Sequence, residues 1–168
     1  MSRIIVPGAL NLHIEIEGRP QLDETLRGRM VALRDWRPFF RAFEKDWNAT
    51  RAAIFRAQGA FEDQPQWADL SENYAKAKAR MIGPDAGILV RSGELLGAIL
   101  RPKEEMTETS LELTVENSYA IYHQSMGFRW SNLPRRPFYD FTDAERGRVM
   151  TLLRATVAAA MEIHAPEA

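Results

Sequence analysis

Residues 36 to 54 read Trp36-Arg-Pro-Phe-Phe40-Arg-Ala-Phe43-Glu-Lys-Asp-Trp47-Asn-Ala-Thr50-Arg-Ala-Ala-Ile54. Trp36, Phe40, Phe43, Trp47, Thr50 and Ile54 fall at steps of four and three, which is one stripe on a helix of 3.6 residues per turn. No other segment of the chain carries so strong a signal. Asp35 stands where a cap belongs, and Pro38 falls in the first turn, where a missing N–H costs little. Gly59 is the expected stop. Large aromatic rings on a single face are the mark of a core seam, because they dominate core energetics.

Outward from that helix, the N-terminal side offers a second one. Leu22, Leu26, Met30 and Leu33 form a stripe over residues 21–34, with Asp23 and Glu24 early and Arg34 late, as the helix dipole favours. Before it, Leu12, Ile14 and Ile16 alternate with His13, Glu15 and Glu17, the pattern of a strand over 11–17 with one wet face. Gly18-Arg19-Pro20 ends it.

On the C-terminal side, residues 60–70 form a loop containing Pro65 and Trp67. Ser71 caps a short predicted helix through Met81, whose Lys76, Lys78 and Arg80 read as a solvated helix end. Residues 82–87 are a turn, Ile88-Leu89-Val90 a short buried element, and Ser92-Gly93 a tight turn using glycine's conformational freedom. Residues 95–101 and 110–116 read as two strands joined by a polar, mobile tip over 102–109. In the second, Leu111, Leu113 and Val115 alternate with Glu112, Thr114 and Glu116. Asn117-Ser118 is a turn, and an irregular stretch follows Gln124. Thr142-Asp143-Ala144-Glu145 has the form of a capping box. It opens a last helix striped by Val149, Leu153, Val157 and Met161. The expected fold is a single α+β domain over residues 1–168: an antiparallel sheet packed with an N-terminal helical pair and a C-terminal helix, with 1–10 and 164–168 frayed.

Composition bounds the function. The chain has 168 residues, enough for one domain with a real core. Lys and Arg number 22 against 23 Asp and Glu, a net charge of -1, so nothing global points to nucleic acid or an anionic membrane. There is no cysteine, which removes disulfides and thiolate metal sites and fits a reducing cytosol. The N-terminal apolar run is too short for a signal peptide and no window has the length of a membrane span. His13, His123 and His164 lack the close spacing of metal ligands. Ser92 lacks a nucleophile elbow, and His123 with Asp140 completes a triad only on paper. Glu104-Glu105 reads as a solvated pair, and no phosphate-binding glycine loop occurs. Arg135-Arg136 beside Phe128 and Trp130 suits either nucleic acid or a protein interface. The residues alone point to a binding or structural module with no catalytic role and no cofactor or metal.

Five short motifs in order add to this. They are Trp67-Ala68-Asp69-Leu70-Ser71; Tyr74 with Lys78; Ile88-Leu89-Val90-Arg91-Ser92-Gly93-Glu94-Leu95; Tyr119-Ala120-Ile121-Tyr122-His123-Gln124; and Leu133-Pro134-Arg135-Arg136-Pro137-Phe138. The succession resembles the phage virion morphogenesis family, the tail-completion proteins of Mu-like and related myophages, over about residues 11–160. Ser125-Met126-Gly127-Phe128 and Gly97-Ala98 depart from that pattern. The resemblance implies a structural protein of a tailed phage or prophage particle, acting at the tail end or head–tail junction as a ring of copies. Its implied partners are itself and tail or connector proteins, with no cofactor. Its implied location is the virion, and the host cytoplasm during assembly. The alternative is a nucleic-acid-binding module of prophage origin. Tyr119, His123, Gln124, Trp130, Arg135, Arg136 and Phe138 are the expected interface residues, with the 102–109 tip and the 125–134 segment as docking surfaces.

Overall fold

A computed structural model describes residues 10–15, 34–124 and 133–162. The elements are β1 (Leu10–Glu15), α1 (Arg37–Arg56), α2 (Glu72–Ile82), α3 (Glu94–Leu100), β2 (Lys103–Met106), β3 (Ser110–Val115), α4 (Ala120–Gln124) and α5 (Asp143–Glu162). This is a small α+β domain with an antiparallel three-stranded sheet, ordered β1-β3-β2. Leu12 pairs with Leu113 and Ile14 with Leu111, so the apolar alternation of both strands falls on one face. Leu111, Leu113 and Val115 are wholly buried, and Leu12 and Ile14 pack against them. The expected first helix over 21–34 lies outside the described residues, apart from Arg34.

The aromatic stripe is the core. Trp36, Phe40, Phe43, Trp47, Thr50 and Ile54 are all buried. Their rings meet edge-on or tilted, as ring quadrupoles prefer: Trp47 stands at 88° to Tyr139, 5.0 Å between centroids. α1 packs against α3 and α5. Its start differs slightly from expectation. Trp36 holds the cap position, and the Asp35 carboxylate accepts the Arg37 N–H at 3.0 Å from one residue earlier. The Arg37 guanidinium also grips Asp35 and holds its pKa below the usual carboxylate value. At the other end Gly59 has φ +92°, and its missing Cβ leaves room for the Trp67 ring.

The capping box forms as its sequence implies. The Glu145 N–H donates to Thr142 Oγ1 at 3.0 Å, and the Thr142 N–H donates to Glu145 Oε2 at 2.9 Å. Glu145 has a further role that no helix rule predicts: its other oxygen pairs with Arg51 of α1. Arg51 is wholly buried, lies over the Trp47 ring at 3.8 Å, and donates to Phe138 O at 2.6 Å and Asp140 O at 3.1 Å. Burial lowers its pKa to about 10, so it remains a cation at neutral pH. Arg148 adds a more exposed clamp, joining α5 to Asp46 and Thr50 of α1 and to Glu62.

Several expectations are corrected. Residues 95–101 are not a strand: Glu94–Leu100 is helical, with Leu95 and Ile99 buried one turn apart. β3 hairpins with Lys103–Met106 instead. Half of the segment expected to be a mobile tip, Lys103–Met106, is therefore strand. Its turn is held by Thr107, whose N–H donates to Ser110 O at 2.8 Å and whose hydroxyl oxygen accepts the Thr109 and Ser110 N–H groups. Ile88-Leu89-Val90 is a half-buried turn, with Leu89 at φ +60°. Lys78 is not a solvated helix end but is 3% exposed. No helix among the described residues is long and apolar enough to cross a membrane.

Candidate functional site

A cleft of about 770 Å³ opens beside α2 and α4. Asp69, Leu70 and Ser71 line it from the loop before α2, and Tyr74 and Lys78 from α2 itself. The turn from Leu89 to Leu95 forms a wall, Tyr119 and His123 come from the α4 region, and Leu133, Pro134 and Arg136 from the segment after it. Each of the five motif stretches contributes, although they are spread over residues 69–136.

Backbone and side-chain hydrogen bonds bring these segments together. Arg136 threads between two of them. Its N–H donates to His123 O at 2.8 Å, and its guanidinium donates to Ala68 O through Nε (3.1 Å) and Nη2 (2.9 Å), with Asp69 O at 3.2 Å from Nη2. Trp67 Nε1 donates to Pro137 O at 2.9 Å, binding the same two strands of chain again. Lys78 Nζ donates to Gly87 O at 2.5 Å, fixing the turn that leads into the wall. Gln58 supports that turn from α1's end by accepting the Ile88 N–H. Gly93, with φ +83°, starts α3 from the left-handed region that glycine enters without strain.

The expected interface residues fall into three groups. Tyr119, His123 and Arg136 meet at the cleft. Tyr119 is 65% exposed at its mouth, whereas Arg136 is 3% exposed and acts from within. Gln124 and Phe138 are internal. The Gln124 carboxamide oxygen accepts the Phe138 and Tyr139 N–H groups at 3.0 and 3.1 Å, and its nitrogen donates to Asp140. Phe138 is wholly buried against Phe55, 5.7 Å between ring centroids, so it is a core residue and not a surface anchor. Arg135 is exposed, pairs with Asp140 and donates to Gln124 O at 3.0 Å. Trp130 lies outside the described residues, as does most of the 125–134 segment.

Sequence reasoning passed over Lys78 as a site residue, and Tyr74 and Leu133 as its apolar rim. A usable signal existed, since Tyr74 and Lys78 are four apart and so share a face of α2. Tyr74, Tyr119 and Leu133 are 44%, 65% and 50% exposed, and three large apolar groups standing open around one concavity are what a contact surface needs.

Ser92 and His123 both line the cleft, but no hydrogen bond joins them among the described residues, and the Ser92 hydroxyl oxygen accepts the Glu94 N–H at 3.4 Å. The Asp140 carboxylate is held by Gln124 and Arg135, and His123 Nδ1 is buried with no partner among the described residues. The chain of nucleophile, base and orienting carboxylate therefore does not form. Burial, and then the charge of Arg136, hold the His123 pKa below the ordinary imidazole value, so the ring is neutral. Among the described residues no group of three His, Asp or Glu side chains could hold a metal ion. Comparison with protein-family models, with curated proteins and with solved structures gave no match.

Proposed function

We propose that this protein is a structural component of a tailed phage or prophage particle. It acts in virion assembly, at the tail end or the head–tail junction, by ring-like self-association and docking onto tail or connector proteins. It makes and breaks no covalent bond. The observation that carries the reading is the meeting of the five motif stretches around one cleft with an open apolar rim. Those stretches are the ones that resemble the virion morphogenesis family. A ring needs a heterologous contact, in which one surface of a copy meets a different surface of the next. A concave, aromatic-rimmed surface suits one side of such a contact, because aromatic and Arg anchors in concave sites carry most interface energy.

Two measurements test this. Light scattering of the purified protein, alone and with tail-tube or connector proteins, should give a defined oligomer or complex. Complementation of a particle lacking the gene should restore full-length tails with the native chain and fail with Tyr119→Ala or Trp130→Ala, with circular dichroism unchanged. A strictly monomeric protein that binds no particle component, together with full particle yield from both variants, would overturn the proposal.

A further inference from the structure

Four charged side chains among the described residues are less than a tenth exposed: Arg51, Lys78, Arg136 and Glu145. A covered charge is costly without an opposite one. Arg51 and Glu145 answer each other. Lys78 and Arg136 do not: their hydrogen-bond partners are the carbonyl oxygens of Gly87, Ala68 and Asp69. Neither has a carboxylate in ion-pair contact among the described residues. Both line the cleft, and the half-buried His123 lines it with them, its Nδ1 unpartnered among those residues.

The electrostatics agree with that placement. The two cations are shielded from solvent without lying deep in the core, and burial lowers the pKa of each. Arg136 lowers Lys78 further, and also His123, so the three basic groups act on one another across a short distance. Asp69 acts on Arg136 in the opposite sense, and Glu94 and Arg91 also line the cleft. An ammonium has three donors and Lys78 uses one of them on Gly87 O. Arg136 engages Nε and Nη2, and its Nη1 makes no hydrogen bond among the described residues. Two covered cations with unused donors, and a half-buried imidazole, therefore line one cleft together with the exposed Tyr74, Tyr119 and Leu133.

We infer that this cleft receives a carboxylate carried on an apolar body, the carboxylate seated against Lys78, Arg136 and His123 and the body lying on Tyr74, Tyr119 and Leu133. An acidic side chain next to an aromatic or aliphatic one in a partner's peptide segment has this chemistry, and so does a small arylalkanoic acid. The assignment stands apart from the assembly role, except that a peptide source would make the cleft the docking site proposed above.

The test uses the whole 168-residue chain and five probes: 3-phenylpropionate and its amide, the peptides acetyl-Leu-Phe-Glu-amide and acetyl-Leu-Phe-Gln-amide, and inorganic phosphate. Binding is followed by the His123 ring resonances at millimolar ligand. The acid in each pair should bind roughly ten- to a hundredfold more tightly than its amide, the worth of a hydrogen bond to a charged group. Phosphate, lacking the apolar body, should bind more weakly than either acid. Lys78→Met, which keeps the stem and removes the charge, should cut the preference for acid over amide several-fold, with Arg136 holding the remainder, and Lys78→Arg should retain it. A tighter glutamate peptide assigns the source to a partner chain; a tighter phenylpropionate assigns it to a small acid. No saturable shift with either acid, equal binding of acid and amide, or phosphate binding as tightly as the acids would overturn the inference. The acid–amide comparison on the native chain decides the matter even if Lys78→Met fails to fold. Light scattering on the same samples reads assembly separately, so loss of one does not count against the other.

Discussion

Replacing Glu145 by Gln changes one atom's worth of volume and removes one charge, which makes it a sharp probe of the α1–α5 junction. In the native chain the Glu145 side chain, 2% exposed, serves two donors: one oxygen meets Arg51 and the other accepts the Thr142 N–H at 2.9 Å. A carboxamide has one acceptor oxygen. If that oxygen turns to Arg51, its NH2 faces the Thr142 N–H; if it turns to Thr142, its NH2 faces the guanidinium. Either way a donor is opposed by a donor. Arg51 is also left as a buried cation held only by Phe138 O, Asp140 O and the Trp47 ring. Removing one partner of such a pair costs about 3–5 kcal/mol. For a chain of this size that corresponds to a fall in Tm of roughly 6–20 °C, at about 2–4 °C per kcal/mol. Urea denaturation of native protein, Glu145→Gln, Arg51→Met and the double variant Arg51→Met/Glu145→Leu measures it. The two single variants should each lose several kcal/mol. The double variant should recover most of the loss, because no uncompensated charge remains. A loss below about 1 kcal/mol in Glu145→Gln, equal to that of Thr142→Ala, would refute the reasoning and leave Glu145 as a helix cap alone.

Gly59→Ala should cost about 2–3 kcal/mol in urea denaturation, because φ is +92° and the new Cβ would stand 2.4 Å from Trp67 Cδ1 and 2.8 Å from its backbone nitrogen. Phe138→Ala should cost about 3–5 kcal/mol, as for other large core rings, which a merely interfacial residue would not. Tyr119→Ala, at a position 65% exposed, should change the unfolding free energy by no more than about 0.5 kcal/mol while impairing assembly. His123 gives a pH signature. Its folded pKa lies below the unfolded one, so the unfolded chain takes up the proton first. The native state is then fully favoured above the unfolded pKa, near 6.5, and loses stability as pH falls through it, until the folded pKa is reached. His123→Gln should flatten the stability slope as pH falls from neutral through the ordinary imidazole value, near 6.5, read from unfolding free energies at each pH.

The elements legible in the sequence are those whose own residues carry the pattern. Six stripe positions from Trp36 to Ile54 mark α1, Thr142 and Glu145 mark the start of α5, and Leu111, Leu113 and Val115 mark β3. The misreading of 95–101 has a physical cause. A short apolar run does not distinguish helix from strand, and here the buried pair Leu95 and Ile99, four apart, decides for helix. β2 was hidden because Lys103-Glu104-Glu105 is an exposed edge, which needs no apolar alternation. The roles of Arg51 and Lys78 could not be read locally. Each looks like an ordinary solvated cation until the chain folds back on it, Phe138 and Glu145 from far downstream for Arg51 and Gly87, beyond the end of α2, for Lys78. The cleft was legible only as an order of motifs, because its walls come from segments that touch nowhere in sequence.

The strand at the beginning of the chain has a consequence for how the protein is made. Leu10–Glu15 is hydrogen-bonded to Ser110–Val115, about a hundred residues downstream. On a translating ribosome β1 therefore emerges early and waits without its partner while α1, α2 and α3 are synthesised. Through that interval its alternating Leu12 and Ile14 have no sheet to join, and a stray strand edge of another nascent chain would serve as a substitute. Closure of the sheet thus waits until Val115 has been made, with α4 and α5 still to follow. Yield of soluble protein should respond more to slowed synthesis, or to chaperone supply, than the stability of the finished fold would suggest.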